Sequence, residues 1–275
     1  MNNLIFSEDD MIGAIIGDIV GSRFENSDPV PKGFEFFTQE CKFTDDSAMS
    51  LAICDALMKC KPDFSDLSEK AVSSMQEIGN YYFKKLPFGG LFKGWLKDLK
   101  PRNSCGNGAA MRVSGCGYVG KTIEEVKLLS KVVTEVSHNH PEGLKGAEAT
   151  AVAVFLARTG KSLVEIQEYI EKNYYSLDFN LSDIRKIFGF SDKCQGTVPP
   201  ALKSFFESTD FETTIRNAVY LDGDTDTLAA IAGSVAEAYY GVPKFMREQA
   251  VSFLDDRLLK ILHDFEDKYP PKIMN

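Results

Sequence analysis

A chain of 275 residues, 44% of them hydrophobic, is long enough for one large core or two modest domains and should fold unaided. Its formal net charge of −9 and sequence pI near 5.0 exclude a broad basic surface that would gather nucleic-acid phosphates. Six cysteines (Cys41, Cys54, Cys60, Cys105, Cys116 and Cys194) form no CxxC pair and follow no secretory apolar run, which predicts reduced thiols in a cytoplasmic protein.

The first element is predicted over Met11–Glu25, "MIGAIIGDIVGSRFE". Gly13, Gly17 and Gly21 recur every four residues and so share one helical face. Glycine costs about 1 kcal/mol per helical position relative to alanine, and tight backbone packing is the expected return. The same run is too short to cross a bilayer and carries Asp18, so no membrane partner is expected. The next helix starts at the aspartates of "TDDSAMSLAICDALMK", where Met49, Leu51, Ile53, Cys54, Leu57 and Met58 suit a broad apolar face. In "HPEGLKGAEATAVAVFLARTG", Pro141 and Glu142 form a helix-start pair and Gly160 a stop. Its alanine- and valine-rich interior predicts burial on most sides. Further on, Asp210 is a predicted N-cap with Glu212 in the first turn. Finally, "GDTDTLAAIAGSVAEAYYG" repeats the earlier design, with acidic and hydroxyl residues heading a small-residue helix that ends at Gly241. Fixed repeats and low-complexity linkers are absent and strand-like alternation is scarce, so one all-α domain over residues 1–275 is predicted.

The two acidic helix starts are candidates for chemistry. Thr44, Asp45 and Asp46 head one helix, and Asp224, Asp226 and Thr227 the other. Capping explains either group alone, each cap contributing about 1 kcal/mol. Together they hold more charge than caps require, and carboxylates gathered in an interior need a counter-charge. Oxygen-only ligands of this type suit Mg²⁺ or Mn²⁺. An EF-hand fails: counted from Asp222, the sixth position is Thr227 instead of glycine, and the twelfth is Gly233 instead of glutamate. The stretch "NSCGNGAAMRVSGCGY", punctuated by Gly106, Gly108, Gly115 and Gly117, reads either as a loop offering backbone N–H groups to a phosphate or as a tight turn. His138 and His140 lack the cysteine or third histidine of a zinc site, so a pocket-lining or buried hydrogen-bonding role is expected.

Five segments, "GAIIGDIVGSRFE", "FTDDS", "GNGAAMR", "SHNHPEGLKGAEA" and "GDTDTLAAIAGSVAEAYYG", in this order across roughly residues 11 to 242, resemble the ADP-ribosylglycohydrolase family. The resemblance implies an orthogonal all-α bundle, a dinuclear Mg²⁺ or Mn²⁺ site, and cleavage of the N- or O-glycosidic bond between ADP-ribose and an acceptor. The partner implied is an ADP-ribosylated protein or a small-molecule ADP-ribose conjugate. Carried over by position, the resemblance assigns metal ligation to Thr44, Asp45, Asp46, Asp224, Asp226 and Thr227. It marks Glu25 as an acid near the metals, and Glu25, Asp45 and Asp226 as the catalytic set. Ser104, Gly106, Asn107, Gly108 and His138 match the substrate-binding positions. Departures are Ser47, where the family motif often ends in threonine, Asp222 in place of a common glycine, and Cys105 in the substrate loop.

Breaking a ribosyl bond builds oxocarbenium character, so an activated water and a held ribose are required, and Glu25 is the expected proton-transfer or water-positioning group. Two rival readings are a Cys105–His138 hydrolase, which leaves the acidic clusters unexplained, and a non-catalytic ADP-ribose-binding or crystallin-like member, against which the intact acidic residues argue.

Overall fold

The computed structural model describes residues 11–270 except 26, 28, 29 and 188. Among the described residues the secondary structure is helical, with one isolated antiparallel bridge between Gly106 and Lys193. The helices are α1 (Gly13–Gly21), α2 (Asp45–Lys59), α3 (Leu67–Tyr82), α4 (Gly90–Asp98), α5 (Ser114–Val119), α6 (Ile123–Glu135), α7 (Pro141–Arg158), α8 (Leu163–Asn173), α9 (Leu181–Ile184), α10 (Cys194–Phe206), α11 (Phe211–Tyr220), α12 (Thr225–Tyr240), α13 (Lys244–Val251) and α14 (Asp256–Lys268). The predicted all-α bundle is thus what the chain adopts. None of these helices is long and apolar enough to cross a membrane.

At the centre lie α1 and α12, with α7, α10 and α11 around α12, and α2 docked between α1, α3 and α14. Every residue of α1 is buried, as are Thr225–Glu237 of α12, so neither helix needs a polar face. The glycine spacing read from the sequence is what joins them. A Cβ on Gly13 would fall 2.6 Å from Glu237 Cβ, one on Gly17 2.6 Å from Ala230 N, and one on Gly21 2.6 Å from Asp226 Cα. Backbone therefore meets backbone over three successive turns. The register is pinned by Glu237, whose Oε1 accepts the Ile12 N–H at 2.7 Å at the N-terminus of α1.

Two boundaries differ from the sequence expectation. The first helix stops at Gly21 instead of Glu25, because Gly21 already faces Thr225, where α12 begins and leaves no further surface to pack against. The second half of the glycine-punctuated stretch is helix, not loop: Gly115 and Gly117 lie in α5, and a Cβ on Gly117 would sit 2.6 Å from the Ala151 carbonyl of α7. Local caps follow the sequence closely. Asp210 caps α11, Pro141 opens α7, and Gly160 and Gly241 adopt positive φ of 81° and 73° just past α7 and α12.

Candidate active site

The first turn of α2 is held by a residue outside the motif. Asp18, fully buried on α1, accepts the Thr44 N–H at 2.8 Å and the Ser47 N–H at 3.0 Å through Oδ2. It also accepts the Thr44 hydroxyl at 2.7 Å through Oδ1, and the Ser47 hydroxyl. Thr44 Oγ1 in turn accepts the Asp46 N–H at 3.3 Å. The N–H groups at the mouth of α2 are therefore capped by Asp18 and Thr44, and capping does not explain the Asp45 and Asp46 carboxylates. Because Thr44 sends its proton to Asp18, its oxygen acts as an acceptor toward α2, with one lone pair taken by the Asp46 N–H. Sequence reasoning missed Asp18 as a site residue; its signal was a single carboxylate inside an otherwise apolar, glycine-spaced helix.

The α1–α12 contact brings the second acidic group to the first. Carboxylate oxygens of Asp18, Asp46 and Asp226 lie within 4.8 Å of one another, although Asp46 and Asp226 are 180 residues apart in sequence. All three are buried, and Asp46 Oδ1 has no hydrogen-bond partner. Metal–oxygen bonds of about 2.0–2.6 Å fit this spacing, and a buried carboxylate oxygen that no protein donor satisfies suits a cation as its partner. The residues present thus fit a hard divalent ion. Both groups also sit at helix N-termini, whose partial positive charge offsets some of the repulsion.

The remaining repulsion appears in the proton affinities of the metal-free cluster. Burial, then the charges of Asp18, Asp45 and Asp224, holds the Asp46 carboxyl well above its ordinary range. Asp226 is raised similarly by burial, Asp46 and Asp224, while burial outweighs four hydrogen bonds to raise Asp18. Asp45 is pushed up to about 7 by burial and by Asp18, with further contributions from Asp224 and Glu25. The native state therefore keeps protons that the unfolded chain releases near pH 4. This contribution to stability is full at low pH and is lost as pH climbs through about 7. With a chelator present, the melting temperature should fall between about pH 5 and about pH 8, and saturating Mg²⁺ or Mn²⁺ should raise it and flatten that slope. Native-state binding at a hundredfold excess over Kd stabilises by about 2.7 kcal/mol. An identical melting curve with and without metal would return the clusters to simple capping.

One cavity of about 340 Å³ collects the rest. Glu25, Asp45, Asp46, Asp224, Asp226 and Thr227 form its acidic wall, and Ser104, Gly106, Asn107, Gly108, Arg112 and His138 line it as well. Leu91 and Phe190, each more than half exposed, stand at its rim. Of the catalytic, metal and substrate positions that the resemblance implies, Thr44 alone does not line the cavity; it supports Asp46 from behind the wall. The Gly106 N–H is engaged by Ser104 Oγ at 3.1 Å and the Asn107 N–H by Asp192 O at 2.8 Å, so these two backbone donors brace the loop. The Asn107 side chain reaches the acidic wall, donating to Asp224 Oδ2 at 2.7 Å and to Thr197 Oγ1 at 3.1 Å. His140 caps α7, accepting the Glu142 N–H at 3.1 Å. Asp222 does not line the cavity; it takes φ of 75°, the left-handed conformation that glycine adopts freely, and accepts its neighbour's Gly223 N–H.

The chain is 27% identical to the human ADP-ribosylhydrolase ARH3 and 25% identical to that of Gallus gallus, in each case over 92% of this chain and 91% of the relative. It is 24% identical to the ADP-ribosylarginine hydrolase Tri1 of Pseudomonas putida, over 94% of this chain and 77% of that protein. A solved chain described as part of an ADP-ribosylglycohydrolase-related protein complex shares the fold at a TM-score of 0.66 and 21% identity, covering 93% of this chain and 92% of its own. The family model for ADP-ribosylglycohydrolases matches residues 10–270, and the chain belongs to that family.

Proposed function

We propose that the protein, acting as one domain, hydrolyses the glycosidic bond between ADP-ribose and an acceptor, either a protein side chain or a small molecule, with two Mg²⁺ or Mn²⁺ ions. The observation that carries this reading is the buried meeting of Asp46 with Asp226, with an oxygen that no protein group satisfies, on the wall of the cavity. Thr44, Asp45, Asp46, Asp224, Asp226 and Thr227 would hold the ions, with Asp18 fixing the first three. Bound there, such ions supply charge neutralisation, orientation of ribose hydroxyls and a more acidic water. Glu25, half-buried on the same wall, takes the proton of the attacking water and returns one to the leaving acceptor. Ser104, Gly106, Asn107, Gly108 and His138 hold the diphosphate and riboses. The names of the relatives support an ADP-ribose conjugate as substrate.

The test is release of free ADP-ribose from a panel of conjugates on arginine, serine, nucleotide and small-ester acceptors, with Mg²⁺, Mn²⁺ or chelator. At least one conjugate should be cleaved only with metal. Saturable ADP-ribose binding without cleavage of any conjugate would favour the non-catalytic reading instead.

A further inference from the structure

Arg112 is only 1% exposed, yet among the described residues no carboxylate forms an ion pair with it, and its Nε has no partner. Its guanidinium donates from Nη2 to Ser137 Oγ at 2.6 Å and lies 3.1 Å from Nδ1 of His138. Burial brings Arg112 down to about 10, so it remains a cation near neutral pH. A guanidinium can only donate, and Nδ1 must therefore present its lone pair, which places the imidazole proton on Nε2. Ser137 Oγ, 2.9 Å from the same Nδ1, accepts from Arg112 and has its own proton free for Nδ1 or for the Thr134 carbonyl at 3.4 Å. A second proton on the ring would put two cations in contact in a buried site; burial and Arg112 both hold His138 well below its ordinary pKa.

The Nε2 edge of the ring lies beside the glycine loop of the cavity wall. Nε2 would lie 3.4 Å from a Cβ on Gly108 and 3.5 Å from one on Gly106, and all three residues line the cavity. On the α7 side, a Cβ on Gly143 would lie 3.5 Å from His138 Cβ, and the charge that shifts the imidazole is that of Arg112. Arg112 is thus the charged group that acts on this imidazole.

We propose that Arg112 is a positioning residue: by donating to Nδ1 it keeps His138 neutral with its proton on Nε2, so that His138 offers the ligand one fixed hydrogen-bond donor and takes no part in proton transfer. The assignment rests on the reading of the cavity as a ligand site. It gives the bound molecule an acceptor atom, a phosphate or hydroxyl oxygen, beside Gly106 and Gly108. It also leaves acid–base work to the carboxylates.

The decisive measurement needs no ligand. The protein has three histidines, so a ¹⁵N histidine spectrum assigns His138 by its loss in His138→Gln. The expected result is a pyrrole-type Nε2 and a pyridine-type Nδ1, unchanged from about pH 5 to about pH 8. Titration within that window, or a proton on Nδ1, would overturn the proposal. Arg112→Met should let His138 titrate or mix tautomers, and should weaken ADP-ribose binding measured by calorimetry about tenfold, the worth of one hydrogen bond, with KM rising more than kcat falls. Arg112→Lys, which keeps a charge and a donor, should restore part of the wild-type spectrum. A merely structural Arg112 would lower the melting temperature and leave the imidazole spectrum unchanged, which would overturn the positioning role. Should Arg112→Met fail to fold, Ser137→Ala retains the Arg112–Nδ1 contact and must retain the Nε2–H form. Absence of any ADP-ribose binding by the wild type would defeat the functional reading alone, since the spectrum decides the imidazole separately.

Discussion

Asp226→Asn should reduce turnover of an ADP-ribose conjugate by roughly 10²–10³-fold, the scale seen when one preorganised charge-stabilising group is removed from an active site. The variant keeps the volume of the side chain and an oxygen to accept the Thr227 N–H, which Asp226 Oδ1 accepts at 2.9 Å. Folding should therefore survive. In chelator the variant should even melt higher than the wild type, because it removes one charge from a buried group that burial, Asp46 and Asp224 already push toward protonation. In saturating Mn²⁺ the order should reverse, since the wild type gains the binding free energy that the variant loses. A crossing of this kind separates a cation site from a capping network, in which Asp226→Asn would change little under either condition. Full activity in Asp226→Asn would count against the whole assignment.

The second large effect is expected at a position that touches no ligand. Gly17→Val places a branched side chain where even a Cβ would sit 2.6 Å from Ala230 N and closer still to the Ala229 carbonyl. Backbone cannot rotate aside as a side chain can, so α1 and α12 must separate. Relief of the helical glycine is worth at most about 1 kcal/mol, while overpacking a well-filled interior costs about 1–3 kcal/mol and sometimes more. Separation also carries Asp18 away from Asp226, and with it the mouth of α2. We expect a fall in melting temperature and, in whatever fraction remains folded, weakened Mn²⁺ affinity. A variant of unchanged stability would show that the glycine face is not what joins the two acidic groups.

The parts of this molecule that sequence made legible are those whose cause is local. Asp210, Pro141, Gly160 and Gly241 act within one turn of themselves, and each stands where the expected cap or stop occurs. The every-fourth glycine pattern was also legible, because a costly residue repeated on one helical face needs a packing reason. What stayed hidden depends on contacts far apart in the chain. Asp18 reads as an oddity in an apolar helix until α2 docks its first turn on it, 26 residues away. Arg112 reads as the end of a glycine-rich motif, and nothing local shows that its guanidinium meets His138, also 26 residues on. Gly115 and Gly117 looked like loop punctuation and proved to be helix-packing positions, since composition alone does not distinguish a glycine that turns the chain from one that lets α7 approach. Asn107 was expected to serve the ligand loop, and its side chain ties that loop to Asp224.

The central claim is that Asp46 and Asp226, with Asp18 behind them, form a cation site and not two helix caps. Titration of the metal-free protein with Mn²⁺, followed by the loss of free-ion electron paramagnetic resonance signal, tests it most directly. The account predicts saturable uptake of two ions per chain, displaced by excess Mg²⁺ and lost or halved in Asp46→Asn and Asp226→Asn. Uptake that fails to saturate, or that both variants leave unchanged, would contradict it.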